Sequence, residues 1–293
     1  MDIREYQESD LHKLLEYWRR IGTNIPYFFP VSTERWQTCL LEDTLNGETL
    51  FKDLETFFVT ENDQTLGFVQ YGQPSFAWDA SGEKFYNPRI GVIRHFYFEE
   101  GRADVGEVLL AKANAYLKRF KKGHAFYHIL GMSCNAHHGK LHSSLRHIDE
   151  LMQTHSFQIE QENVYYSLDM EDAQLPDNVE LKLIAKRIQH TNVQDFGVQL
   201  EDRTVCTAQV RFLEELTGGC TDDTVYLTWI GVNKPYRGLG LGTKSLQLLA
   251  RYLQCKGYRY LHTDTANNNH TAQRFYERFG FQNQGITRSY LRT

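Results

Sequence analysis

Read for apolar and polar positions alone, the chain runs through one order of elements and then repeats most of it. "MDIREYQ" reads as a strand. "SDLHKLLEYWRR" follows, with Leu11, Leu14, Leu15 and Trp18 at helical spacing behind Ser9 or Asp10 as a cap. A second helix is predicted in "STERWQTCLLEDTL", and "TFFVTEN" and "TLGFVQYG" read as a hairpin. "RIGVIRHFYF" reads as a strand, "VGEVLLAKANAYLKRF" as a helix, "HAFYHIL" as a strand and "SSLRHIDELMQTH" as a helix. "FQIEQENVYYSLDM" reads as two closing strands. The segment "EDAQLPDN", acidic and polar with a proline, is the linker candidate.

Beyond it come a strand ("VELKLI"), a hairpin ("DFGVQLE" and "TVCTAQVRFLEEL") and a strand ("VYLTWIGV"). A helix ended by Gly257 ("TKSLQLLARYLQCKG") is followed by a strand ("YRYLHTDT"), a helix ended by Gly280 ("HTAQRFYERFG") and a last strand ("ITRSYLRT"). The recurrence predicts two copies of one α/β unit, over 1–172 and 173–293. The copies differ in one place. The first has two helices between its first strand and its hairpin, whereas "AKRIQHTNVQ" leaves no room for them in the second.

Composition narrows the partners. A length of 293 residues suits two domains at roughly 150 residues each. The net charge of -5 argues against a nucleic-acid partner, which favours a basic face, and is compatible with a cationic substrate. The charged start "MDIREYQESD" is not a signal peptide and no long apolar run is present, so a cytoplasmic protein off the membrane is expected. Five scattered cysteines without a C-x-x-C pair suit a reducing compartment and point to no zinc site. Histidines crowd between His124 and His155. His138 and His142 have the i, i+4 spacing of helical metal ligands, but Gly139 interrupts and no carboxylate joins them, so no metal is expected.

The stretch "YRGLGLG", residues 236–242, carries the candidate chemistry. A dinucleotide fingerprint would need a glycine where Thr243 stands, and a P-loop would need lysine directly after its last glycine. Both fail on spacing. A strand nevertheless runs into the loop and a helix leaves it. Gly238, Gly240 and Gly242 allow backbone N–H groups to turn inward at the helix N-terminus, with Arg237 and Lys244 beside them. Glycine spacing alone leaves an anion cradle and a plain turn both open.

Downstream, "NHTAQRFYERFGF" begins at Asn269. Together the two stretches resemble the GNAT acetyltransferase superfamily. Its motif R/Q-x-x-G-x-G/A is matched at Arg237, Gly240 and Gly242, and N-x-x-A-x-x-x-Y-E-x-x-G-F at Asn269, Ala272, Tyr276, Glu277, Gly280 and Phe281. The clear match runs from about Tyr226 to the C-terminus.

The resemblance implies an α/β (α+β) fold of two GNAT-like domains. Each would be a mixed, mostly antiparallel twisted sheet flanked by helices, the second lacking the first two helices. It implies acetyl-CoA as co-substrate, its pyrophosphate on Arg237, Gly238, Leu239, Gly240, Leu241, Gly242 and Thr243, and its pantetheine arm beside Ile230, Gly231 and Val232. Asn269 and Tyr276 would complete the cofactor site, with Tyr276 as the general acid that protonates the leaving thiolate. The general base stays open among His262, Asp264, Glu214, Glu215 and a water relay.

Laying "EEGRADVGEVLL" over "PYRGLGLGTKSL" with Gly106 on Gly242 puts Gly101 at Arg237 and Asp104 at Gly240. In the later helix Met152 falls opposite Tyr276 and Leu145 opposite Asn269, so the first copy is read as degenerate. The expected function is N-acetylation of a small-molecule amine, with a protein or peptide acceptor not excluded. The alternative is a non-catalytic acyl-CoA-binding or regulatory protein. The acceptor wall would come from "IPYFFPVSTERW", from "FAWDASGEKFY", or from the partner subunit of a homodimer.

Overall fold

A computed structural model describes residues 1–78, 83–172, 181–187 and 192–293. The chain order is β1 (Asp2–Glu5), α1 (Leu11–Gly22), α2 (Thr33–Leu41), β2 (Thr44–Leu45), β3 (Glu48–Thr49), β4 (Phe51–Glu61), β5 (Gln64–Pro74), β6 (Phe76–Trp78), β7 (Lys84–Tyr86), β8 (Gly91–Phe98), α3 (Ala103–Leu117), β9 (Gly123–Ala125), β10 (Leu141–His142), α4 (Arg146–Thr154) and β11 (Gln158–Asp169). It continues with β12 (Lys182–Arg187), β13 (Val193–Leu200), β14 (Arg203–Phe212), α5 (Leu213–Thr217), β15 (Thr224–Val232), α6 (Leu241–Cys255), β16 (Tyr260–Ala266), α7 (His270–Phe279) and β17 (Gln282–Arg292).

Local chemistry explains where these elements start and stop. Leu14, Leu15 and Trp18 of α1 are buried, as their spacing demands. The α2 helix stops at Leu41, short of the sequence expectation. Asn46 and Gly47 both take positive φ, and this tight turn folds β2 back onto β3 instead of extending the helix. The strand expected in "HAFYHIL" covers only Gly123–Ala125, because Phe126 sits at φ 53 and leaves the extended region. The two strands expected in "FQIEQENVYYSLDM" are one continuous strand, β11.

The chain forms two compact units. The first is Met1–Phe29, Thr33–Glu162 and Thr287–Thr293; the second is Pro30–Ser32 and Asn163–Ile286. These boundaries differ from segments 1–172 and 173–293, because β11 and β17 each pass from one unit into the other. The linker expectation falls largely on 173–178, outside the described residues. So do parts of three other stretches read from the sequence, at 79–82, 179–180 and 188–191.

In the first unit the sheet runs β1-β4-β5-β8-β9 and then the end of β17; β8–β9 is parallel and the other pairs are antiparallel. In the second it runs β12-β13-β14-β15-β16 and then the end of β11, with β15–β16 parallel and the others antiparallel. In each unit a parallel step follows the strand that leads into a long helix. Only five residues separate β12 from β13, so the helix pair of the first unit has no counterpart there. The second unit's core joins Leu227, Leu261 and Tyr166 of the sheet to Leu246, Leu249 and Leu253 of α6. Burying such side chains is worth roughly 2 kcal/mol each.

The repeat is closest at one irregularity. Gln209 faces Trp229 and Val210 faces Leu227, so β15 carries an extra residue at Thr228. Gln70 faces His95 and Tyr71 faces Ile93, so β8 carries one at Arg94. The same residue type, glutamine, stands opposite both bulges.

Candidate active site

Strand β15 stays paired with β14 along its length, but its pairing with β16 ends after Tyr226↔His262. Beyond that point the two parallel strands diverge and open a wedge, whose apex is held by Thr263 Oγ1 donating to the Leu227 carbonyl at 2.9 Å. Ile230 and Val232 turn their side chains toward the apolar cluster around Leu241 of α6. The backbone of 228–232 is therefore the edge that an extended ligand could pair with.

The wedge leads to the start of α6. Gly238 at φ 81 and Gly240 at φ 74 hold left-handed conformations, and a Cβ at either would meet no atom within 4 Å, so glycine here leaves open space over the backbone. Gly242 lies in the first turn, where a Cβ would come 3.3 Å from Val232. The first intrahelical bond at this end is Lys244 N–H to Gly240 C=O at 3.3 Å, so the N–H groups of Leu241, Gly242 and Thr243 point outward at the positive end of the helix dipole. Arg237 donates its Nε–H to the Val232 carbonyl at 2.9 Å and ties the loop to the end of β15. This cradle fits a phosphate.

Tyr276 closes the apex. It is buried on α7 among the rings of Tyr166, Phe275 and Phe281, with centroids 5.2 to 5.7 Å away. Burial raises the phenol's pKa above its ordinary value, hydrogen bonding with Thr263 opposes this, and the Asp264 carboxylate adds to it. The phenol is thus protonated at neutral pH. Asn269 caps α7: its side-chain oxygen accepts from Ala272 N–H at 3.2 Å, and its amide donates to Thr265 Oγ1 at 3.4 Å. Its visible work is to fix where α7, and so Tyr276, begins.

The family model described as Acetyltransferase (GNAT) family matches residues 155–281, which span this wedge, loop and helix. Residues 155–281 form a GNAT acetyltransferase-family domain. Among solved structures, it is similar to a glucosamine N-acetyltransferase region of a fungal multi-domain β-N-acetylglucosaminidase, at TM-score 0.69 and 12% identity over 99% of this chain. The chain spans 38% of that protein's length. A tandem GNAT protein from the clavulanic acid biosynthesis pathway is similar at TM-score 0.66 and 11% identity, over 99% of this chain and 98% of that one. A GCN5-related N-acetyltransferase from Sphaerobacter thermophilus is similar at TM-score 0.63 and 11% identity, over 99% and 95%. At such identities these likenesses establish the tandem GNAT fold. No curated protein matches the chain.

The GNAT wedge has a counterpart in the first unit, and it is filled. Pairing of β8 with β9 stops at Ile93↔Ala125, but the bulge residue is Arg94, fully buried. Its guanidinium donates to Asp43 at 2.6 Å and to the carbonyls of Leu130 and Cys39 at 2.9 Å each. At the start of α3, Arg102 donates to Asp104 at 2.9 and 2.8 Å and to Glu61 at 3.0 Å. The helix end that would welcome an anion already carries two carboxylates. Its cap is Arg102, equivalent to Gly240, so Asp104 stands opposite Gly242, two residues from the position the sequence alignment gave it. In α4 the alignment keeps its register: Leu145 caps that helix as Asn269 caps α7, and buried Met152 takes the place of Tyr276.

The candidate bases separate by position. Glu214 and Glu215 line a cavity of about 320 Å³ with Phe212, Tyr252, Lys256 and Tyr258, near the C-terminal end of α6. They follow the pair Phe212↔Val225, five residues along β15 from Ile230, which is roughly 17 Å at strand rise. His262 is half-buried, its Nδ1 is 3.1 Å from the Tyr165 hydroxyl, and desolvation lowers its pKa to about 4. Asp264 lies two residues further along β16, where the wedge opens, and accepts hydrogen bonds from Tyr226 and Asn163. Thr228 and Thr263, which shape the wedge, went unnoticed in the sequence: a bulge leaves no local signature. Of the stretches offered for an acceptor wall, Pro30–Ser32 joins the second unit, where Ser32 N–H donates to Thr217 O and Thr221 Oγ1 to Pro30 O, both at 2.9 Å. Phe76–Trp78 and Lys84–Tyr86 form a hairpin of the first unit.

Proposed function

We propose that the protein is an N-acetyltransferase that moves an acetyl group directly from acetyl-CoA to the amine of a small molecule. The observation that carries this is the continuity of three parts: a wedge with free strand edge, a glycine cradle at its outer end, and a buried neutral phenol at its apex. The cradle of Arg237, Gly238, Leu239, Gly240, Leu241, Gly242 and Thr243 would hold the pyrophosphate, and Ile230, Gly231 and Val232 the pantetheine arm. Holding both reactants in line supplies much of the rate without a covalent enzyme intermediate.

The amine nitrogen forms its bond to the thioester carbonyl carbon, and the C–S bond breaks. The Tyr276 phenol gives its proton to the departing sulfur. The amine's proton leaves toward Asp264, whose place beside the apex, one residue beyond Thr263, favours it over the other candidates. A single site per chain is proposed, in the second unit.

Thiol release should appear when the protein is given acetyl-CoA and a panel of primary amines. Tyr276→Phe should cut kcat by about a hundredfold while the acetyl-CoA Kd stays within about twofold. Asp264→Asn, which keeps the shape and removes the basicity, should move the acid limb of the pH–rate profile. Tight acetyl-CoA binding with no thiol release from any amine would instead favour the acyl-CoA-binding alternative. Unchanged turnover in Tyr276→Phe would remove that residue from the chemistry.

A further inference from the structure

The bulge beside the wedge also turns an aromatic side chain out of the sheet. Because Thr228 is the extra residue, Thr228 and Trp229 both stand opposite Gln209, on the side of the sheet away from α6. Thr228 Oγ1 lies 3.0 Å from both the carbonyl and the side-chain Oε1 of Gln209, and Gln209 Nε2 donates to Asp195 at 2.9 Å. This ladder fixes the side chains beside Trp229 at the bulge. The Trp229 ring lies along the strand over Gly231, where a Cβ would meet it at 2.6 Å, and its Nε1–H reaches Thr207 Oγ1 at 3.3 Å. One face is thus laid against protein and the ring is held in place, yet Trp229 is 59% exposed.

The first unit indicates what normally covers this position. His95 is the equivalent of Trp229 in register, and it is 3% exposed. Trp18 of α1 packs on it at 5.3 Å, with Phe68 at 6.0 Å and Tyr97 at 6.1 Å. In the second unit only five residues separate β12 from β13, too few for a helix of that kind. The position that a helix seals in one unit therefore stands open in the other, and it carries the largest flat side chain available. Bulges beside active sites commonly re-aim a side chain in this way.

Resting on the acetyl-transfer reading, we infer that Trp229 is the stacking platform for the acceptor, and that the acceptor is a primary amine with an aromatic or other flat ring a short chain away from its nitrogen. The nitrogen must reach the wedge as the neutral amine, so the indole engages the body of the molecule. The gain is ring stacking and burial of apolar surface. Removing the ring should act on recognition of the acceptor and leave the cofactor alone.

The test uses the full-length protein with phenethylamine and ethylamine as probes. Trp229→Ala should lower kcat/KM for phenethylamine at least tenfold and for ethylamine less than threefold, with the KM for acetyl-CoA unchanged. Trp229→Phe should restore most of the loss. Without cofactor turnover, phenethylamine should protect the emission of Trp229 from acrylamide quenching, read as the difference from Trp229→Phe; Trp18 and Trp36 are buried and contribute little to that difference. Equal losses for both amines, or no loss for either, would overturn the platform while leaving acetyl transfer intact. Protection by phenethylamine with no thiol release would do the reverse.

Discussion

His262 occupies a strand position where a charge has no place. It is half-buried beside Tyr165, and desolvation brings its pKa from 6.5 to about 4. His95 in the first unit is pushed the same way, well below its usual value, by burial and by the neighbouring Arg94. Above pH 6.5 neither folded nor unfolded chain holds a proton on these rings. As pH falls from there, the unfolded chain takes up protons first, so stability drops until the folded state follows near pH 4. For His262 alone the loss approaches about 3 kcal/mol. Urea unfolding at pH 7 and at pH 4.5 should therefore show a smaller acid loss in His262→Gln than in the parent. An identical loss in both would mean that the ring is not neutral when folded. None of this desolvation can be read from the sequence, where His262 is a candidate base by residue type and by its place on the next strand.

The glycine loop and α7 were legible as elements because their signals are local. Gly240 caps α6, Gly280 stops α7 at φ 112, and Asn269 lies seven residues before Tyr276, all within one helix or turn. The wedge is implied by the family resemblance and not by any local signal, because it depends on where pairing between β15 and β16 stops, and that is set by partners far apart in the chain. Helical spacing alone predicts α2 too long, because the Asn46–Gly47 turn outweighs the spacing around it. Gly240→Ala tests the loop as an element. An L-residue at φ 74 costs roughly 1 kcal/mol or more, and the methyl group enters the space above the helix end. Titration calorimetry should give an acetyl-CoA Kd weakened at least about tenfold. An unchanged Kd would place the phosphate elsewhere.

Across the whole molecule the two units keep one architecture and differ in what occupies it. Arg94 and the Arg102–Asp104–Glu61 group fill in the first unit the places that stay open in the second. Calorimetry with CoA should accordingly report one equivalent per chain, and two would overturn the reading of the first unit as a filled copy. The sequence conveyed the repeat through its order of hairpin, strand and helix. It could not convey that β11 and β17 are shared, since strand partners are chosen by sheet geometry over more than a hundred residues. That sharing has a kinetic consequence during synthesis. The first unit lacks the strand that ends at Arg292 until Tyr290, the partner of Ala125, has been synthesised. At roughly 5 to 20 residues per second, its sheet waits on the order of ten seconds for its last strand, with β9 presenting an unpaired edge throughout. The sheet of the first unit is thus begun well before the second unit is made and closed only after it.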